Sequence, residues 1–247
     1  MGSKTKIDWA DSTWNPVTGC LHGCEYCYAR KIAERFGYHL TDRNVHDLKT
    51  PVRKKDAIVP YPYDFEPTFH RYKLEETQYW KKPRTIFVCS MADLFGDWVP
   101  DEWIQEVFKA CEAAPQHRYL FLTKNPKRYV DLYKNGVLRV RDSFWYGTTV
   151  TSANEPFFYS RMPDDNPHTF CSIEPIREPF GAMREMPEWV IVGAETGTQK
   201  GKIVPQKEWI DKIAAECKRW RVPIFMKESL HEIMGDDFRQ EFPWKIE

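Results

Sequence analysis

Six short apolar runs, rich in β-branched and aromatic residues, recur through the last two thirds of the chain. They are TIFVCS (Thr85–Ser90), RYLFLT (Arg118–Thr123), FWYGTTV (Phe144–Val150), TFCSI (Thr169–Ile173), WVIVGA (Trp189–Ala194) and VPIFMK (Val222–Lys227). An extended stretch, STWNPVTG at Ser12–Gly19, makes about seven candidates. The short apolar runs suit strands covered on both sides, as in a parallel sheet. Helical patterns lie between several of them. Trp103, Ile104, Val107, Phe108 and Cys111 form one stripe, and Trp209, Ile210, Ile213, Ala214 and Cys217 another. The two share a short E-W-I pattern, which reads as common packing chemistry rather than an internal repeat. A chain of 247 residues can bury such a core. The alternation predicts an α/β fold: a partial (β/α) barrel with about six or seven parallel strands, in one domain over 1–247.

A further helix is expected after Cys27, with Tyr28, Ile32, Ala33 and Phe36 on one face and Gly37 as its terminator. Tyr38–Pro83 breaks the rhythm. It is rich in proline, carries the basic runs KTPVRKK and KKPR, and holds at most one helix of its own. It is expected to be an insertion (about 38–83) that helps to cover the mouth of the barrel.

The chain has seven cysteines, and three of them, Cys20, Cys24 and Cys27, fall within eight residues as C-x3-C-x2-C. Chance placement would give about 0.005 such matches in a chain of this length. Thiolates suit zinc or iron–sulfur clusters. A structural zinc site takes four protein ligands, and His22 is a candidate fourth. Cys24 and Cys27 alone would make a dithiol redox pair. A four-iron cube held by three thiolates keeps one iron open. An electron-transfer cluster usually has four protein ligands, so three argue against that role. Cys89, Cys111, Cys171 and Cys217 lie on strand or helix patterns and are expected in the core.

The cysteine stretch resembles the signature of radical S-adenosylmethionine (radical SAM) enzymes, including an aromatic residue, Tyr26, before the last cysteine. WNPVTGC, FVCSMADLFG, LTKNP, SIEP and WVIVGAETG together resemble a family of unsettled substrate, found in phage genomes and known by its three-cysteine motif. The segments run from Trp14 to Gly197. Many members of that family have a longer gap between the first two cysteines; this chain has the compact gap of the wider superfamily. The resemblance implies a 4Fe-4S cluster on Cys20, Cys24 and Cys27. It also implies reductive cleavage of S-adenosylmethionine to a 5′-deoxyadenosyl radical that abstracts hydrogen from a substrate.

Barrel sites lie at the C-terminal ends of the strands. Ser90 and Asp93 there are candidates for the methionine ammonium, although SMADLFG replaces the usual two glycines and an acid. Lys124, with Asn125, follows the next strand. Thr149, Thr151 and Asn154 are candidates for ribose and carboxylate, and Gly193 in GAETG for the adenine. Tyr26 is expected near the adenine as well. Glu174 and Glu195 stand at the mouth, where a carboxylate calls for a cationic partner or a hydrogen-bonding substrate.

Formal net charge is zero, from 36 basic and 36 acidic side chains, so no global field draws nucleic acid or a membrane. The insertion nevertheless mixes basic and aromatic residues: Arg53, Lys54, Lys55, Tyr61, Tyr63, His70, Arg71, Tyr72, and nearby Trp80, Lys81, Lys82 and Arg84. Such a mix can hold a nucleic acid or nucleotide substrate, or be a solvated surface with aromatics packed beneath it. No Rossmann or Walker fingerprint is present. With no signal-peptide core and no apolar stretch of membrane-spanning length, a cytoplasmic protein is expected. The expected partners are S-adenosylmethionine, a flavodoxin- or ferredoxin-like electron donor and a further partner protein, with no membrane.

Overall fold

Each of the seven extended runs contains a strand in the computed structural model, which describes residues 5–40, 46–154, 168–196 and 202–245. We number them β1 (Ser12–Trp14), β2 (Thr85–Val88), β3 (Arg118–Thr123), β4 (Phe144–Val150), β5 (Thr169–Ile173), β6 (Trp189–Val192) and β7 (Ile224–Met226). They form one parallel sheet in chain order, β1 to β7, as expected for an α/β partial barrel. The chain divides into two compact units, Met1–Arg139 and Val140–Glu247.

In the first unit β1 pairs with β2 and β2 with β3, all parallel, in the register Trp14↔Val88 and Val88↔Phe121. Helix α1 (Tyr28–Phe36) follows the cysteine loop, α2 (Asp101–Glu112) follows β2, and α3 (Lys127–Lys134) follows β3. Helix α2 buries Ile104, Val107, Phe108 and Cys111, as its stripe predicts, while Trp103 is half-buried and stacks on Phe69 of the insertion. Fully burying side chains of the Val–Ile–Phe class contributes about 1.5–3 kcal/mol each.

Helix α1 corrects the expectation. Ala29 and Ala33 are its buried residues, against Phe65 and Met91, while Tyr28, Ile32 and Phe36 are exposed. Small residues allow close approach, and here closeness decided the face. Gly37 is extended rather than left-handed; a Cβ there would lie 2.0 Å from the Asp64 carboxylate, so its role is to admit that side chain.

The insertion makes no α-helix among its described residues. Thr68–His70 pairs antiparallel with Val17–Thr18 and parallel with Asp47–Leu48, and Arg53–Lys54 forms a hairpin with Ala57–Ile58. Two 3-10 turns, Arg71–Lys73 and Glu76–Tyr79, lead back to β2.

In the second unit β4, β5, β6 and β7 pair in sequence, and α4 (Lys207–Trp220) links β6 to β7. It buries Ile210, Ile213, Ala214 and Cys217. The β5–β6 connection is irregular, yet it inserts Ile176, Phe180 and Met183 into the same core. All four outlying cysteines are buried, as expected, although Cys89 sits just past β2 in a left-handed conformation rather than inside the strand. Among the described residues no helix is long and apolar enough to cross a membrane.

Candidate functional site

The cysteine loop leaves the end of the first strand region through Gly19, whose φ of 87° suits glycine. A Cβ there would lie 2.2 Å from the Glu66 carbonyl oxygen. The loop is pinned on both sides: Gly19 N–H donates to the Met91 carbonyl at 2.9 Å and Cys20 N–H to the Phe65 carbonyl at 3.1 Å. Cys27 N–H closes a turn onto the Cys24 carbonyl at 3.1 Å. Cys27 then caps α1, its Sγ accepting from Arg30 N–H at 3.4 Å. The Arg30 guanidinium lies over the Phe65 ring and donates to the Cys20 carbonyl at 3.2 Å. Sequence reading missed this use of Arg30, because its two partners are a loop carbonyl and a ring thirty-five positions away.

Cys20, Cys24 and Cys27 are free and half-buried. Burial pushes the Cys20 thiol up to about 12, against a lowering main-chain hydrogen bond from His22; Asp93 and the two neighbouring thiols push the same way as burial. Among the described residues no group of three or more His, Cys, Asp or Glu side chains is set to hold a metal ion.

Asp93 is buried, and its carboxylate is a hub rather than an open acceptor. Oδ1 accepts from Phe95 N–H at 3.0 Å and from the Thr123 hydroxyl at 2.8 Å. Oδ2 accepts from Lys124 N–H at 2.9 Å and lies 2.7 Å from His22 Nε2. Ser90 donates to Asn15 Oδ1 at 3.2 Å, and its carbonyl accepts from the Tyr28 hydroxyl at 2.7 Å. Asn15 also takes Met91 N–H at 3.0 Å. It was not among the candidates, although it lies in WNPVTGC. Lys124 and Tyr26, ninety-eight positions apart, are brought together: Lys124 Nζ donates to the Tyr26 hydroxyl at 3.2 Å and lies 5.3 Å from the ring centroid.

In the second unit, the Glu174 and Lys227 side chains form an ion pair. Gly193, at the end of the intervening strand, makes room for it: a Cβ there would lie 2.9 Å from Lys227 Cδ and 3.4 Å from the Glu174 carboxyl carbon. The cationic partner expected for Glu174 is thus Lys227. Glu195 is buried, and Ala194 N–H beside it donates to the Ser229 hydroxyl at 3.1 Å. Thr149 lies inside β4 opposite Ser172, not beyond the strand. Thr151 and Asn154 follow it in a turn capped by Glu178, which accepts from the Ser152 hydroxyl and Ala153 N–H, both at 2.7 Å. These two hydrogen bonds hold the half-buried Glu178 carboxyl below its ordinary range. Gly197 of GAETG lies outside the described residues.

Most of the basic–aromatic mix is structural. Tyr63 and His70 are buried, Arg71 pairs with Asp47 at 2.6 Å and with Glu106, and Arg84 sits over Trp80. Arg53, Lys54, Lys55, Lys81 and Lys82 are exposed, with Lys54 Nζ 5.0 Å from the Tyr38 ring centroid.

Residues 4–235 match the model of a family described as "Protein of unknown function (DUF5131)". No curated protein matches the sequence. Among solved structures, the fold resembles that of a cysteine-to-serine mutant of spore photoproduct lyase, with a TM-score of 0.50 and 11% identity. The likeness covers 92% of this chain and 78% of that one, and at this identity it shows the fold alone.

Proposed function

The chain belongs to the DUF5131 family, described as of unknown function, and from that premise we propose that it is a radical SAM enzyme acting as one domain over 1–247. The observation that carries this reading is one loop holding three free, half-buried cysteines, anchored to the main chain at Phe65 and Met91 and continued directly into α1. The chemistry and number of the donors suit a 4Fe-4S cluster, three thiols leaving one iron without a protein ligand, although their side chains are not gathered as a metal site in this structure. The partial barrel, shared with a protein named as a lyase, agrees with an enzyme. When bound, the cluster and S-adenosylmethionine would supply one-electron chemistry for abstracting hydrogen from a substrate.

The chain's own residues have narrower tasks. Cys20, Cys24 and Cys27 would bind iron as thiolates, so loading would release protons, and burial makes the Cys20 thiol give up its proton less readily than an ordinary thiol. Tyr26, held by Lys124, offers an aromatic face beside the loop. Lys124 supplies a cation for a carboxylate, and Ser90 a hydroxyl oxygen for an ammonium. Thr149, Thr151, Asn154, Glu174, Gly193 and Glu195 remain our candidates for cofactor binding in the second unit. A flavodoxin- or ferredoxin-like donor provides the electron in the cytoplasm. The exposed lysines and Arg53 of the insertion favour a nucleic acid or nucleotide substrate. The kinship with the phage three-cysteine family is our reading of the quoted motifs.

The test is anaerobic. The protein is reconstituted with iron and sulfide, reduced with dithionite and given S-adenosylmethionine, and 5′-deoxyadenosine is measured by mass spectrometry beside Cys24→Ala. We expect a brown protein that forms product, and a variant that does not. A colourless zinc protein, or a brown one that neither binds nor cleaves S-adenosylmethionine, would overturn the reading.

A further inference from the structure

Among the described residues ten large apolar side chains are exposed, and seven of them fall between residues 21 and 58: Leu21, Tyr28, Ile32, Phe36, Tyr38, Leu40 and Ile58. Most are joined in space as well as in sequence. Tyr28, Ile32 and Phe36 stand four residues apart on α1 and form one stripe, beside the alanines that pack inward. Beyond α1, Tyr38 N–H donates to the Tyr61 carbonyl at 3.1 Å and Leu40 N–H to the Pro62 carbonyl at 3.0 Å, which fastens both to the insertion. Lys54 Nζ lies 5.0 Å from the Tyr38 ring centroid, so the hairpin that carries Ile58 borders the same patch. The patch starts at the thiols: Leu21 follows Cys20, and Tyr28 follows Cys27. Its charge is one-sided. Lys31, Arg35, Lys49, Arg53, Lys54 and Lys55 are exposed in this stretch, against Glu25, Glu34 and Asp56. An exposed apolar patch rimmed by polar side chains marks an interaction site.

We propose that this face of α1 is the docking site of the protein that reduces the cluster, a small electron carrier with an apolar centre and an acidic rim. The inference rests on the cluster reading above. Protein interfaces place aromatic and apolar side chains at their core and charge at their edge, and opposite charges across the edge guide encounter and register. The step is a single electron transfer: the carrier loses one electron, the cluster gains it, and no bond is made or broken. A carrier seated on Leu21 and Tyr28 meets the loop next to two of the three thiols, which shortens the path the electron must cross. Other occupants fit less well. A second copy related by a two-fold axis offers the same patch, hence the same excess of cations and no acidic rim. A single-stranded nucleic acid sets phosphates on cations and stacks bases on rings, but Leu21, Ile32, Leu40 and Ile58 have no ring. Lys81 and Lys82, outside this stretch, stay available to such a substrate.

The experiment uses the reconstituted protein and, as probes, a bacterial flavodoxin and a 4Fe-4S ferredoxin. Cluster reduction is followed by the loss of visible absorbance, with the reduced carrier and, separately, with dithionite. Carrier binding is measured by titration at low and high salt. Ile32→Ser, Phe36→Ser and Arg35→Glu are compared with the wild type, and Trp220→Ser, at an exposed apolar residue of the second unit, serves as control. We expect at least one carrier to bind and reduce the wild type, more weakly as salt rises. The three patch variants should bind it about tenfold more weakly or worse, from a truncated anchor or a reversed rim charge. Their iron content and their reduction by dithionite should stay at the wild-type level, and Trp220→Ser should match the wild type throughout. A wild type that binds neither carrier, or variants that bind and accept electrons as it does, would overturn the proposal and leave the cluster standing. So would an equal slowing with dithionite, which puts the effect at the cluster. A labelled single-stranded oligonucleotide is titrated in parallel. If the patch variants lose it and keep the carrier, the face belongs to nucleic acid and the proposal fails. A wild type that takes up no iron would instead sink the cluster reading itself. Should one patch variant fail to fold, the other two decide the matter.

Discussion

His70 shows how one residue of the insertion couples to acidity. It is fully buried, with Nε2 2.8 Å from the Thr18 hydroxyl and Nδ1 3.2 Å from the Tyr72 hydroxyl. Burial, reinforced by the nearby Lys73 ammonium, pushes its pKa down to about 3. The folded value lies below the unfolded one of about 6.5. The unfolded chain therefore takes up the proton first, and the contribution is complete above pH 6.5 and lost as pH falls from there towards 3. Between 6.5 and 5 the loss is roughly 1.5 pH units at about 1.36 kcal/mol each, near 2 kcal/mol. Urea unfolding of the wild type and His70→Asn at pH 7 and pH 5 checks this. The wild type should lose about 2 kcal/mol more than the variant across that interval. Equal losses would mean that His70 is not the group responsible.

At the scale of elements, the strands were the most legible part of the sequence. Runs such as WVIVGA have no polar face, so any register that buries them on both sides reads the same way. Helix α1 was less legible, because a stripe of large apolar residues competes with a stripe of alanines and only the neighbouring surface chooses between them. Phe65 and Met91 come close to the helix and select Ala29 and Ala33. The role of Asp93 was hidden for a related reason. Its partners sit at residues 22, 95, 123 and 124, and no local pattern announces that they converge. The three cysteines, by contrast, carry their meaning in their spacing. The choice of face on α1 is testable. Ile32→Ser should change stability by no more than about 0.5 kcal/mol. Ala33→Leu, which forces bulk into the packed face, should cost about 1–3 kcal/mol. Thermal scans of the two variants should separate them clearly. The reverse order would put the apolar stripe back in the core.

For the whole molecule, a net charge of zero removes long-range attraction, so whatever this protein recognises must be held by local chemistry. The cysteine loop is the place where that chemistry touches global stability. It is fastened to Phe65 in the insertion, to Met91 and Asp93 after β2, and to α1 through Cys27. Unfolding of the first unit scatters these four anchors and with them the three thiols. A group that binds the gathered thiols and not the scattered ones stabilises the folded unit by mass action. A bound group at a hundred to a thousand times its dissociation constant adds about 3–4 kcal/mol. For a chain of this size each kilocalorie moves the melting temperature by about 2–4 °C. The loaded protein should therefore melt roughly 5–15 °C above the same protein stripped by a chelator, in anaerobic scans at equal concentration. Cys24→Ala, carried through the same reconstitution, should melt at one temperature before and after. If the loaded and stripped wild type melt together, the loop is not a site that closes around its ligand, and the three thiols act without the support of the fold that surrounds them.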